Sequence, residues 1–379
     1  MRPVDKTGLG TYPYAVDVST QADLETTLQQ IKIPFGSTAK TPITNAFGVP
    51  NPSAWDVING LITAKGPKPK PKKKAQAYAK LKLVKGTITT KLGDMYAEAN
   101  LPLQAQLGRY CSFCEMPTLQ AVAVEHIVPK APYPLFYIAW DNFLLACSVC
   151  NSCKGNNPPR SDLQFTPQPA DEVGYFDTIK NTYLWPNGFS NVYKNTKPQL
   201  QYQGSNGNWF PVTNPVQPGT AQTGADVETR TITANVYATV ATAAGPKLKL
   251  RNNVPVRVQL VPVGARATNM LELAALNKRS GLTVSDIRMW TRTELWFTAL
   301  NSLNTLKKAT VATFPDYWDL FIAAVPRNGL YSVYVTLIDL LGPSRSWLVP
   351  GTTTPMMKQF LDTIVGPNYF PGTDTADAP

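Results

Sequence analysis

The chain has 379 residues, 43% hydrophobic and 10% aromatic, so it can bury a sizeable core and exceeds one ordinary domain. Its formal net charge of +11 favours a polyanionic partner, nucleic acid before an acidic membrane surface. No stretch reaches the roughly 18 apolar residues that span a bilayer, and MRPVDKTGLGTYPYAV has no signal-peptide core, so the sequence predicts a soluble, cytoplasmic protein without a membrane segment.

Residues 1–74 mix Pro and Gly with one weak helical stretch, STQADLETTLQQI (19–31), and end in KGPKPKPKKK (65–74). Alternating Pro and Lys cannot make a helix or a central strand, so 65–74 reads as an extended basic linker that can also tether a phosphate backbone. A second unit, 75–225, opens with the helical stretches AQAYAKLKLVKG and TKLGDMYAEANLPLQAQLG, passes through a cysteine block, and closes in loops and short strands rich in Asn, Pro, Gly and aromatics. A third, 226–365, has no role legible in the sequence. It begins with alternation in GPKLKLRNNVPVRVQLVPVG (245–264), which predicts two strands joined at Asn252–Asn253. Lys247, Lys249, Arg251 and Arg257 would share or border its polar face, which either is solvated or touches nucleic acid. Helices follow in TNMLELAALNKRSG, in VSDIRMWTRTELWFTALNSLNTLKKA, in PDYWDLFIAAV and in TPMMKQFLDTIVG. Trp296, Leu300 and Leu303 fall on one helical stripe and should be core. The tail, 366–379, is expected to be disordered.

All five cysteines lie between Cys111 and Cys153. Crowding of this kind in a large chain reads as a metal site in a reducing compartment. Cys111-x-x-Cys114 and Cys147-x-x-Cys150 are two pairs at zinc-knuckle spacing, enough for a closed tetrahedral thiolate shell around a structural Zn2+. Cys153 is the spare, and a ligand set that includes it is the alternative. The only histidine, His126, follows Glu125 at the end of a strand-like run, AVAVE, before Pro129. As a lone histidine it is either a satisfied structural residue or a catalytic base. Glu125 can offer a hard oxygen to a divalent cation. Asn142 precedes the apolar run Phe143–Ala146. Asn151 falls where a helix would begin after the second cysteine pair, so it either caps that helix or joins Glu125 on a metal. Lys154 lies one turn on.

Together, CSFC, EHIVPK, WDN and CSVCNSCKG resemble the HNH endonuclease family, the ββα-metal nucleases. The likeness covers about 45 residues and is nearest the zinc-knuckle branch, which includes phage junction resolvases of the endonuclease VII type and the HNH subunit of the Septu anti-phage system. It implies an α+β chain with a zinc-stabilised ββα-metal core (within 75–225) in a larger, mainly helical protein with short strands. It implies His126 as general base, Glu125 and Asn151 as ligands of a catalytic Mg2+ or Mn2+, Asn142 as the residue ordering the loop under the site, and Lys130 and Lys154 as phosphate contacts. Asn151 stands where the family's last His often stands, and Glu125 where Asp is usual, so this is an HNN variant. The expected activity is hydrolysis of phosphodiester bonds in DNA, with RNA open as substrate, in defence against phage. An ATPase or sensor partner is implied by the resemblance alone. The competing readings are an antibacterial HNH toxin and a zinc-stabilised nucleic-acid-binding module without catalysis.

Overall fold

A computed structural model describes Met1, residues 99–118, 122–129, 142–157, 178–187, 191–277 and 287–364, and Phe370 and Thr373. The helix expected at 19–31, the basic linker 65–74, the stretch AQAYAKLKLVKG and Lys130 lie outside these residues. The chain is mixed α+β, and among the described residues no helix is long and apolar enough to cross a membrane.

The first group of elements surrounds the cysteines. Helix α1 (Asn100–Leu107) buries Leu103 and Leu107. A tight turn follows, closed by a bridge between Tyr110 and Pro117 and by the Cys111 N–H donating to the Met116 carbonyl at 3.0 Å. Strands β1 (Ala123–His126) and β2 (Phe143–Ala146) pair antiparallel, with Glu125 opposite Leu144 and His126 opposite Phe143. Helix α2 (Ser148–Lys154) packs on both strands. Its N-cap is Cys147, so of the two roles the sequence left open for Asn151 the capping one does not hold. Both cysteine turns therefore dock on one strand–strand–helix unit, whose core includes Leu107, Phe113, Leu144, Leu145 and Trp185.

The second group is a five-stranded antiparallel sheet in the order β4 (Trp209–Pro211), β3 (Thr196–Gln203), β7 (Lys247–Pro262), β6 (Thr231–Val240), β5 (Ala221–Asp226). The hairpin expected within 245–264 is instead the single long strand β7. At Asn253, φ is 50° and the register against β6 slips, so Asn252–Asn253 form a bulge rather than a turn. β5 runs across residue 225, so the sheet continues through the position where the sequence suggested a boundary.

One face of the sheet, bearing Leu200, Ile232, Ala234, Val256 and Val258, is covered by helix α4 (Arg288–Lys307). Trp296, Leu300 and Leu303 are buried there, as their spacing predicts. The preceding helix α3 (Ala265–Leu273) packs on β7 beside the first group. Helices α5 (Phe314–Asn328), α6 (Tyr331–Leu341) and α7 (Met356–Ile364) complete this core. The tail is not wholly loose. Phe370 is buried, 4.7 Å from the Tyr110 ring and 5.9 Å from Tyr331, because a large aromatic side chain gains more from burial than its ordering costs.

The two groups are joined through Glu115, the residue after the first cysteine pair. Its carboxylate accepts from the Ser332 N–H (2.9 Å) and the Ser332 hydroxyl (2.8 Å), which caps the first turn of α6 where the helix dipole favours an anion. Its carbonyl accepts from the Leu330 N–H at 3.0 Å, and a Cβ at Gly329 would collide with that carbonyl.

Burial on α6 pushes the Tyr334 hydroxyl up to about 12, against an ordinary value of 10.0. A raised folded-state value stabilises the fold fully below pH 10, and the contribution disappears as pH rises through about 12. Tyr334→Phe should therefore lose less stability than wild type between those limits. Urea midpoints measured across that range check this, and parallel pH profiles would remove Tyr334 from the account.

Candidate functional site

The four cysteines of the two pairs meet. The Sγ atoms of Cys111, Cys114, Cys147 and Cys150 all lie within 4.8 Å of one another. The Cys114 and Cys147 sulfurs are 3.8 Å apart, matching the roughly 3.8 Å edge of a tetrahedron with Zn–S bonds of about 2.3 Å. The first pair sits on the turn after α1. The second straddles the start of α2, where the Cys150 N–H donates to Cys147 Sγ at 3.4 Å. Crowding splits the thiol acidities. Hydrogen bonds from Cys111, Cys114 and Cys150 hold Cys147 far below the usual thiol range. Hydrogen bonding to Cys111, with burial adding to it, pushes Cys114 and Cys150 up. An all-sulfur tetrahedral donor set suits zinc, and the cluster is compatible with a structural zinc ion.

Two residues that sequence reasoning missed support this cluster. Arg288, 3% exposed, donates from Nη1 to Cys150 Sγ at 3.2 Å and from Nη2 to Cys153 Sγ at 3.6 Å. It is anchored by the carbonyls of Ala274 (2.8 Å) and Ala275 (3.1 Å). Arg292, one turn along α4, is also buried, and donates to the Val258 and Leu276 carbonyls. Desolvation pulls its pKa down, while Glu115, Cys114 and Cys150 hold it up. The signal was in the sequence: Arg288 and Arg292 continue the Trp296–Leu300–Leu303 stripe backwards at i−4. Charges on an apolar stripe need buried counter-charges. Cys153 itself is exposed and stands outside the cluster of four.

The remaining candidates sit on the strand–strand–helix unit. Successive residues of a strand point to opposite faces, so Glu125 and His126 diverge along β1. Glu125 faces α2, where its Oε1 is 2.7 Å from Lys154 Nζ. That pair is nearly dry, with side-chain exposures of 6% and 0%. Burial lowers the Lys154 pKa, and Glu125 opposes the shift. Lys154, expected to reach for phosphate, is the counter-ion of Glu125 instead. His126 ends β1, and its ring stands edge-on to Phe143, 5.1 Å between centroids and 85° between planes. It is 5% exposed. Asn142 holds the chain just before β2: its Oδ1 accepts from the Val128 N–H at 2.7 Å and its Nδ2 donates to the Val128 carbonyl at 3.0 Å. With the Ile127 N–H on the Asn142 carbonyl, these bonds tie Ile127 and Val128 to the residue before β2. Asn151 lies in the interior of α2, half-buried, one turn before Lys154. Glu125, His126, Asn142, Asn151 and Lys154 thus share one small unit. The described contacts of the carboxylate and the imidazole lead to different faces of it.

No family model, curated protein or solved structure matches this chain.

Two outcomes follow. Purified protein should carry about one zinc per chain. Cys147→Ser should lose it and melt well below wild type, whereas chelated wild type should fall to the same melting temperature. Metal analysis with calorimetry reads both, and a metal-free wild type as stable as the purified one would remove zinc from the fold. Separately, Lys154→Met alone should cost about 3–5 kcal/mol, because it strands a buried carboxylate. Adding Glu125→Gln should recover most of that loss in urea denaturation. Simple additivity of the two changes would show that the pair is not coupled.

Proposed function

We propose that this chain is a metal-dependent endonuclease of the HNH, ββα-metal type, which hydrolyses phosphodiester bonds in DNA within the cytoplasm, as in defence against phage. The observation that supports it best is the strand–strand–helix unit, braced by four sulfurs, which carries His126 at the end of its first strand and Asn151 on its helix. The motif resemblance and the net charge of +11 point the same way. In this reading zinc occupies the sulfur cluster and does no chemistry, because four thiolates leave it no open position.

His126 is the only imidazole in the chain. An imidazole at this position is the group suited to take a proton from the attacking water. Its ring packs edge-on to Phe143, and Asn142 ties down Val128, two residues on. Glu125 and Asn151 offer a carboxylate and an amide oxygen, a hard donor set that would hold Mg2+ or Mn2+; that ion would neutralise charge growing on the scissile phosphate. Lys154 matches Glu125 in the absence of such an ion, so the carboxylate must leave Lys154 and turn toward the face that His126 uses before it can serve as a ligand at the same phosphate.

Two observations favour a second reading, a zinc-stabilised nucleic-acid-binding protein without catalysis. The Glu125 carboxylate is already matched by a buried ammonium, and the imidazole is 5% exposed. Plasmid and RNA incubated with wild type or His126→Ala, in magnesium, manganese or EDTA, separate the two. The nuclease reading expects metal-dependent DNA cutting that His126→Ala lowers at least about a hundredfold. Equal cutting by both proteins removes His126 as the base. Duplex binding without cutting in any metal selects the second reading.

A further inference from the structure

We propose that the free end of the β6–β7 hairpin is a duplex-DNA-binding arm, whose Lys247, Lys249 and Arg251 hold phosphates of one strand. This rests on the nucleic-acid reading above but not on catalysis.

The hairpin outruns the sheet. β3 pairs with β7 only from Val256 to Pro262, and β5 pairs with β6 only from Thr231 to Asn235. Beyond the bulge, residues 236–240 stay paired with 247–251. The β6 side is flanked by Thr213, which bonds Tyr237 and Thr239, and Val236 and Ala238 are buried, whereas 247–253 on the β7 side are all exposed. Residues 241–246 close it through paired hydrogen bonds between Thr242 and Gly245. Alternation sorts the side chains. Lys247, Lys249 and Arg251 lie opposite Val240, Ala238 and Val236 and share one face. Leu248 and Leu250 take the other face, 45% and 43% exposed. Arg257, which the sequence grouped with these cations, lies on the far side of the bulge. Its guanidinium sits 4.1 Å from the centre of the Trp209 ring and donates to Gln201, so it is not part of the row.

Three features match a phosphate backbone. First, alternate residues of an antiparallel strand advance about 7 Å, so each cation lies two base-pair rises of about 3.4 Å from the next. Second, among the described residues none of the three cations takes part in an ion pair. Third, no acidic residue occurs from Tyr237 to Arg251, and Asp226 and Glu228 lie at the opposite end of β6.

The test uses the full chain in EDTA, with a fluorescein-labelled duplex of random sequence and anisotropy read from about 50 to 200 mM salt. The triple variant K247Q/K249Q/R251Q should bind at least about tenfold more weakly, and the slope of log affinity against log salt should flatten by about 2.7, or about 0.9 for each lost phosphate contact. K247R/K249R, which keeps the charges, should bind as wild type does. The substituted side chains are exposed, so melting temperatures should agree. Unchanged affinity and slope would overturn the proposal. So would a triple variant that merely aggregates, which would assign the cations to guarding an open strand edge, or one that loses only binding to vesicles of anionic lipid. His126→Ala serves as the separating control: normal binding but no cutting by His126→Ala, together with an unaffected triple variant, rejects the arm and keeps the nuclease. Lost binding by the triple variant, with no cutting by wild type, does the reverse.

Discussion

Four sulfur atoms within 4.8 Å of one another cannot all be anions unless positive charge compensates them. Everything around the cysteine turns answers that constraint. Loaded with a divalent ion, four thiolates would carry a net charge of −2, and two guanidiniums, Arg288 and Arg292, lie buried on the α4 side. Burying two arginines in an apolar core would be prohibitive without such a counter-charge. α4 is also the helix on which the five-stranded sheet packs. The cysteine turns and the sheet therefore share an electrostatic contact as well as an apolar one, so a change of charge at the sulfurs should be felt in the sheet.

The second dry ion pair, Glu125 with Lys154, solves a local problem. α2 lays its last turn over β1, and a lone carboxylate there would be desolvated without a partner. The ammonium supplies one, at the cost of its own hydration. Such a pair adds little net stability but penalises the loss of either member. It also sets a condition on chemistry at β1, since any cation recruited by Glu125 competes with a tethered one already in place.

Much of this was legible in residue types and spacings. The two Cys-x-x-Cys pairs foretold their convergence, because tight turns at that spacing present sulfurs to one point. AVAVE foretold β1, and the stripe at Trp296 foretold α4. Other parts were hidden for physical reasons. α6, YSVYVTLIDLL, is rich in β-branched and aromatic residues and buried on nearly every side, so it has no helical periodicity and resembles a strand. Asn252–Asn253 carries the chemistry of a turn, but a left-handed Asn serves a bulge equally well. Glu125 and Lys154 are far apart in sequence, and only the packing of α2 on β1 makes them partners. Glu115 gave no sign that it would cap a helix more than two hundred residues away.

The bulge at Asn253 does more than bend a strand. It inserts one unmatched residue into β7, held by the Asn235 Oδ1 on the Asn253 N–H and by the Thr223 hydroxyl on the Asn253 side chain. Because strand side chains alternate, this extra residue decides which of two interleaved sets, the cations or the leucines, looks in which direction. A chain shorter by that single asparagine would have the same composition at its tip, yet would present grease where it now presents charge.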